Sequence, residues 1–190
     1  MITIRGNNDR CLRIPASREE RQEWEKRLGE MPIMKHLGAE LDLQDPYLVR
    51  LHLRHPSDAH YGGLGTKALN GAMIAGMMDC AMSVAGILHF RGRTCGTLHM
   101  SVDFMKPVRS RYPTVECRAV RKSPNVIFLE AQLIECGKRS SVSASGIVGV
   151  SGLKQSQNGD AESANWLMPF GSVGVLSGVA DNDAAEIESA

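Results

Sequence analysis

Two hydrophobic rhythms divide the chain. Residues 68–90 read Ala-Leu-Asn-Gly-Ala-Met-Ile-Ala-Gly-Met-Met-Asp-Cys-Ala-Met-Ser-Val-Ala-Gly-Ile-Leu-His-Phe, apolar on every side of a helical projection. Such a segment predicts a helix buried all round, with Asn70 as its N-cap and residues 71–88 as its body. Residues 97–104 then switch to a period of two. Leu98, Met100, Val102 and Phe104 alternate with Thr97, His99, Ser101 and Asp103, the pattern of a half-buried strand, which Pro107 closes. Further strands are expected over residues 114–121, 126–136 and 140–150, separated by hairpin turns at Lys122-Ser-Pro-Asn125 and Gly137-Lys138. Upstream, residues 39–43 and 47–53 read as a strand pair turned at Gln44-Asp45-Pro46, followed by a loop over residues 54–69. Ser17 and Glu20 form a capping-box pattern opening a polar helix over residues 17–28, which Pro32 ends; a short second helix covers residues 33–37.

The order is a strand pair, one long apolar helix and a meander of four antiparallel strands. A curved antiparallel sheet wrapped around one long central helix is the α+β arrangement that buries such a helix. The chain thus divides into an N-terminal extension with a polar helix (residues 1–30), one domain (residues 31–152) and a flexible acidic tail (residues 153–190), within which Trp166-Leu-Met-Pro-Phe170 is expected to dock on the body.

Between Lys67 and Arg91 the one side chain charged at neutral pH is Asp79, at the centre of the apolar run. Burying a carboxylate without a partner costs several kcal/mol or raises its pKa, so Asp79 is the residue that calls for a use. It also argues against a membrane span: a central Asp costs roughly 2.5–3.5 kcal/mol on insertion scales, and Asn70, Ser83 and three glycines share the segment.

Composition narrows the function. All 22 basic side chains lie in residues 1–154, whereas six acids and no base follow Lys154, so a net charge of +1 conceals a basic body. A basic body suits an anionic small ligand; nucleic acid is disfavoured because aromatics are only 5% of the chain and no basic stripe is interleaved with them. The five cysteines are odd in number, widely spaced and without a C-x-x-C, which reads as reduced thiols in a cytoplasmic protein. The N-terminus has no apolar core of a signal peptide. His52, His55 and His60 near Asp58 fit no standard ligand spacing, so no metal is expected. Gly62-Gly63-x-Gly65 lacks the Gly-Lys-Ser/Thr of a phosphate loop.

Asn70-Gly71-Ala72 at the helix start, Asp79 nine residues after Asn70, the strand Thr97-Leu-His-Met-Ser-Val-Asp-Phe-Met-Lys-Pro107 and the closing hairpin over residues 122–150 together resemble the hotdog-fold acyl-CoA thioesterases, in particular the phenylacetic-acid-pathway and 4-hydroxybenzoyl-CoA thioesterase-like branch. The resemblance covers residues 31–152. It implies hydrolysis of acyl-CoA thioesters without a cofactor, CoA arriving as part of the substrate. Asp79 would act as general base or as nucleophile, and the Gly71 backbone N–H would polarise the thioester carbonyl. Gly71 and Asp79 are two helical turns apart, too far to serve one carbonyl within one chain. The resemblance resolves this by placing the site between two subunits of a homodimer, paired into a tetramer. Thr97 and Ser83 match positions whose hydroxyl holds the water in different relatives.

The residues make chemical sense without the name. Thioester hydrolysis needs an activated water or a nucleophile, together with donors for the oxyanion; a helix N-terminus supplies such donors, and Gly allows close approach. Their alternatives are ordinary: Ser83 bonding back to helix carbonyls, Thr97 a plain strand residue, Asp79 a structural acid. Arg121 and Lys122, with Lys106, Arg109 and Arg111, are candidate contacts for CoA phosphates, or else solvated turn charges. The chain departs from the family where Asn70 replaces a His and Ala72 a second Gly, and where no clear match exists for the Asn or Gln that grips the carbonyl, with His60 or Asn70 as substitutes. The competing function is a non-catalytic hotdog module that binds acyl-CoA or a partner; a hotdog hydratase would need an Asp/His pair that is missing.

Overall fold

A computed structural model describes residues 11–62, 67–135 and 140–150. Helix α1 (Arg18–Gly29) is opened by the expected box: Ser17 accepts the Glu20 amide and Glu20 accepts the Ser17 amide. Pro32 does not merely end that helix. It is the first residue of α2 (Pro32–Leu37), a position where its missing N–H costs nothing. Strands β1 (Ala39–Asp42) and β2 (Val49–Leu53) follow, then the central helix α3 (Gly71–His89), β3 (Cys95–Phe104), β4 (Thr114–Lys122), β5 (Val126–Ile134) and β6 (Val142–Val150).

The six strands form one antiparallel sheet in the order β1-β2-β4-β5-β6-β3. The expected meander of four is therefore three strands long. Strand β3 does not pair with β4; it pairs with β6 at the far edge, and residues 105–113 carry the chain back across the sheet. The segment between Pro107 and Pro113 offers no tight-turn chemistry to favour a β3–β4 hairpin, and β3 finds its partner in β6 instead.

Helix α3 has the length and apolarity of a membrane span, yet it packs against β2 through β6. Met77, Met78, Ala81 and Met82 are fully buried there, in one core cluster with Leu51, Val115, Leu129 and Val148 of the sheet. Two glycines set how close helix and sheet come. A Cβ on Gly86 of the helix would lie 2.5 Å from Val148, and one on Gly146 of β6 would lie 2.4 Å from the Met82 sulfur. Burying these side chains contributes about 1.5–3 kcal/mol each.

The N-terminal extension is part of this core. Ile14 is 2% exposed, and the Leu12 amide bonds to the Ala119 carbonyl at 2.8 Å, on the part of β4 that β2 does not reach. Arg21 is buried and pairs with no carboxylate among the described residues; its guanidinium donates to the carbonyls of Leu43, Ala16 and Gln44. The tail over residues 153–190, its Trp166–Phe170 segment and the Gly137-Lys138 turn lie outside the described residues.

Candidate functional site at the open face of the central helix

Asp79 is not at the heart of the core. The sheet covers most of α3 but leaves one stripe half-buried or exposed: Ala72, Ala75, Gly76, Asp79, Ser83 and Ile87, at the three-to-four spacing of a single helix face. The sequence could not show this, because an all-apolar helix gives no sign of where its cover ends. The Asp79 carboxylate makes no hydrogen bond or ion pair with any described residue. Partial burial leaves this carboxylate reachable from solvent.

The structure joins two of the candidates. Ser83, one turn beyond Asp79, has its hydroxyl 3.4 Å from that of Thr97 on β3. What brings Thr97 there is a β-bulge. The β3–β6 register steps from Thr97↔Val148 to His99↔Ile147, leaving Leu98 as the extra residue. Strict alternation would put Leu98 with Met100 and Val102 on the helix side and Thr97 outside. With the bulge, Thr97, Met100 and Val102 are half-buried and Leu98 is 67% exposed.

A second cluster lies at the helix N-terminus. Asn70 caps it, its side-chain oxygen accepting the Ala72 amide at 2.9 Å. The amides of Gly71 and Met73 have no acceptor among the described residues. Asn70 is itself held by its N–H on the His60 carbonyl at 2.8 Å, and the Tyr61–Leu69 bridge closes the base of the loop before it. A groove of about 530 Å³ opens beside this end, walled by Leu69, Gly71, Ile74, Phe104, Met105 and Val108, with Lys106 as its one charged lining residue. The Phe104 ring lies 3.6 Å from where a Gly71 Cβ would sit, an ordinary van der Waals distance that sets the ring directly beside this residue. Sequence reasoning missed these wall residues; the strand-ending Phe104-x-x-Pro107 was the available signal.

Gly71 and Asp79 are separated by eight residues, about 12 Å along a helix. Within one chain the structure brings Ser83 and Thr97 together near Asp79, and Asn70 and Gly71 together at the groove, but does not unite the two groups. Lys122 and Arg121 sit elsewhere again. Lys122 donates to the His89 carbonyl at the other end of α3 and lies over the Phe90 ring at 5.2 Å, and Arg121 lies over Phe128 at 5.9 Å.

Other candidates fall away. Burial, and secondarily the Asp79 charge, push the Cys80 thiol up to about 11, and burial does the same to Cys95, so neither is a thiolate at neutral pH. Both His60 nitrogens are occupied: Nδ1 accepts the Ser57 amide, which leaves the Nε2 proton facing the His36 carbonyl at 3.3 Å, so this ring is not free to grip a carbonyl. His52 bonds Thr114 at 2.9 Å and His55 faces Glu40 at 3.5 Å, and no group of three metal-binding side chains occurs among the described residues.

Comparison with known proteins agrees with the fold. Residues 66–142 match the family model described as Thioesterase superfamily. No curated protein matches the chain at the sequence level. Among solved structures, the PaaI protein from the phenylacetic acid degradation operon of E. coli is similar at 13% identity, with 69% of this chain and 92% of that one covered and a TM-score of 0.60. A thioesterase from Haemophilus influenzae aligns at 17% identity over 72% of this chain and 91% of its own, TM-score 0.59. A thioesterase-superfamily-related protein from Shewanella oneidensis reaches 22% identity over 71% of this chain and 100% of its own, TM-score 0.57. At these identities the likeness is one of fold.

Proposed function

With residues 66–142 matched by the thioesterase-superfamily model and a fold like that of solved thioesterases, we propose that this chain is a hotdog-fold member of that superfamily and hydrolyses acyl-CoA thioesters in a site shared by two copies. One observation carries the reading. The two half-sites lie against opposite ends of one edge strand: Thr97, touching Ser83, is near the start of β3, and Phe104, against Gly71, is at its end. Strand β3 is hydrogen-bonded to β6 on one side, and among the described residues nothing pairs with its other side. Leu98 and Phe104 on it, and Met105 just past it, are more than half exposed. A long apolar edge of this kind is a template for a second strand. Antiparallel pairing of two copies about a two-fold axis sets the Phe104 end of one against the Thr97 end of the other. The Gly71 amide of one chain then faces the Asp79 stripe of its partner.

In this arrangement the acyl chain enters the apolar groove and the thioester oxygen meets the Gly71 N–H. Asp79 of the other chain removes a proton from water held by the Ser83 and Thr97 hydroxyls, or attacks directly to form an anhydride that water then opens. The C–S bond breaks, CoA leaves as thiolate and takes a proton, and the free acid remains. No cofactor is needed. Of the cations read as phosphate contacts, Lys122 already holds a helix end, which leaves Arg121, Lys106, Arg109 and Arg111 for that role.

The test is complementation. Gly71→Pro removes the one amide proton and Asp79→Asn the one base. Each alone loses turnover on a broad acyl-CoA panel. Co-expressed, they form mixed dimers with one intact site, and random assortment restores about a quarter of wild-type activity. No recovery would place the site within one chain. A second reading, a non-catalytic acyl-CoA-binding module, draws on Asn70, whose side-chain oxygen is spent on the Ala72 amide rather than on a substrate; thioether binding without any turnover by wild type would establish it.

A further inference from the structure

One wall of the groove is an irregular segment, and something must hold it. Residues 105–113 contain no helix or strand. The end of the β5–β6 hairpin grips them twice. The Ser141 carbonyl accepts the amides of Met105 and Lys106, both at 3.1 Å. Glu135, immediately past β5, does the rest: one carboxylate oxygen accepts the N–H of Arg109 at 3.0 Å and of Ser110 at 2.8 Å, and the other accepts the Ser141 hydroxyl. Ser141 is buried at 4% exposure and its own amide bonds to the Leu133 carbonyl. Between the two anchors Val108 drops into the core at 1% exposure, and its carbonyl accepts the Leu69 amide at 2.8 Å, one residue before the Asn70 cap. Bonds to a carboxylate are stronger than those between neutral groups, so the charged member of this set is the strongest single tie on the wall.

We infer that Glu135 is a positioning residue that holds the wall formed by Met105, Pro107 and Val108 against Leu69 and Ile74, and so sets how much each methylene of an apolar acyl chain adds to binding. The inference rests on the reading of the groove as the acyl site. Glu135 is tied to backbone and to Ser141, away from the reacting atoms. A wall held at van der Waals distance captures each added methylene, worth roughly fourfold in affinity when fully buried. A slack wall captures less. The signature is therefore a change of slope with chain length, which a general loss of stability does not produce.

The experiment compares full-length wild type, Glu135→Ala and Glu135→Gln on a series of saturated acyl-CoAs of increasing length. Binding of the matching non-hydrolysable S-alkyl-CoA thioethers is measured in parallel by calorimetry. Wild type is expected to gain affinity steadily with length. Glu135→Ala is expected to bind the shortest members within twofold of wild type and the longest about tenfold more weakly, the loss appearing in KM rather than kcat. Gln retains an oxygen for the two amides and an NH2 that donates to Ser141, so Glu135→Gln is expected to keep most of the slope. Ser141→Ala, which removes one of the three hydrogen bonds described above, gives a smaller change in the same direction should Glu135→Ala not fold. A uniform loss across all lengths, an unchanged slope, or a Gln variant no better than Ala overturns the inference. If wild type binds the thioethers yet turns nothing over, the hydrolysis reading falls and the slopes still decide the role of Glu135. If it binds none, both fall.

Discussion

The two ends of α3 are finished in opposite ways. At its C-terminus every exposed carbonyl is taken. Arg91 adopts a left-handed conformation at φ 56°, and the amides of Arg91 and Gly92 return to the carbonyls of Leu88 and Ile87 in a Schellman arrangement. The Phe90 amide takes the Gly86 carbonyl, Lys122 takes that of His89, and the Trp24 ring covers Gly92, whose φ of 79° would strain any other residue and whose Cβ would lie a tight 3.2 Å from the indole. At its N-terminus one side-chain cap satisfies one amide, two amides face outward, and an apolar groove stands beside them. Sealing one end raises stability; leaving donors unsatisfied at the other lowers it, and those donors are what a ligand oxygen can use. The contrast separates the fold's fastening from its chemistry on a single helix.

Two substitutions test that separation most sharply. Gly71→Pro suits the first helical position, and Asn70 before it already has the extended φ −65°, ψ 135° that a following proline requires. Loss of one oxyanion donor lowers kcat by about 100-fold, while the melting midpoint stays within about 2 °C of wild type. Trp24→Ala does the reverse. Removing a half-buried indole from the sealed end costs about 2 kcal/mol of unfolding free energy, with kcat unchanged at a temperature where the variant is folded. If Gly71→Pro unfolds the protein and Trp24→Ala abolishes turnover, the two ends are not distinct in the way described. Steady-state kinetics paired with denaturant melts on both variants decides it.

The sealed end also carries a pH dependence. Burial, and secondarily the nearby Lys122 charge, lower His89 from its ordinary 6.5 to about 4. A histidine depressed in the folded state binds more protons when unfolded, so stability is undiminished above 6.5 and falls as pH drops from there towards 4. At pH 5 the loss is about 2 kcal/mol relative to pH 7.5. Urea melts at the two values measure it, and His89→Gln should flatten the difference. Equal loss in the variant would assign the acid sensitivity to other groups.

Much of this architecture was legible before any coordinates. The apolar run around Asp79, the Asn70 cap and the Ser17–Glu20 box gave α3 and α1 to within a residue or two, because capping chemistry and hydrophobic period are local. What escaped depends on distant partners. The bulge at Leu98 that turns Thr97 towards Ser83 leaves no mark on an alternating strand, since the pattern reads equally well without it. The edge position of β3 follows from the crossing of residues 105–113, which neither proline announces alone. Glu135 reads as one acid in a hairpin, and its partners are mostly backbone amides some 25 residues away. The Asp79 carboxylate was recognisable as unusual, but that it lies on an uncovered stripe is a property of where the sheet stops.

The smallest expected effect falls on Asn70, where fastening and chemistry meet in one residue. Asn70→Ala deletes the cap on the Ala72 amide and costs about 1 kcal/mol, a loss that thermal melts resolve. Asn70→Asp keeps the cap, since the two residues are near-equal there, and its charge suits the positive end of the helix by about 0.5 kcal/mol. The same charge sits beside the Gly71 amide and opposes negative charge building on a thioester oxygen. If Asn70 were a cap alone, Asp would match Asn in turnover and Ala would lose only stability. With the open end serving as the oxyanion site, Asp instead lowers kcat several-fold while melting no earlier than wild type. A variant that is as stable as the parent yet slower separates the two uses of this end, because only a group near the developing charge registers the sign of residue 70.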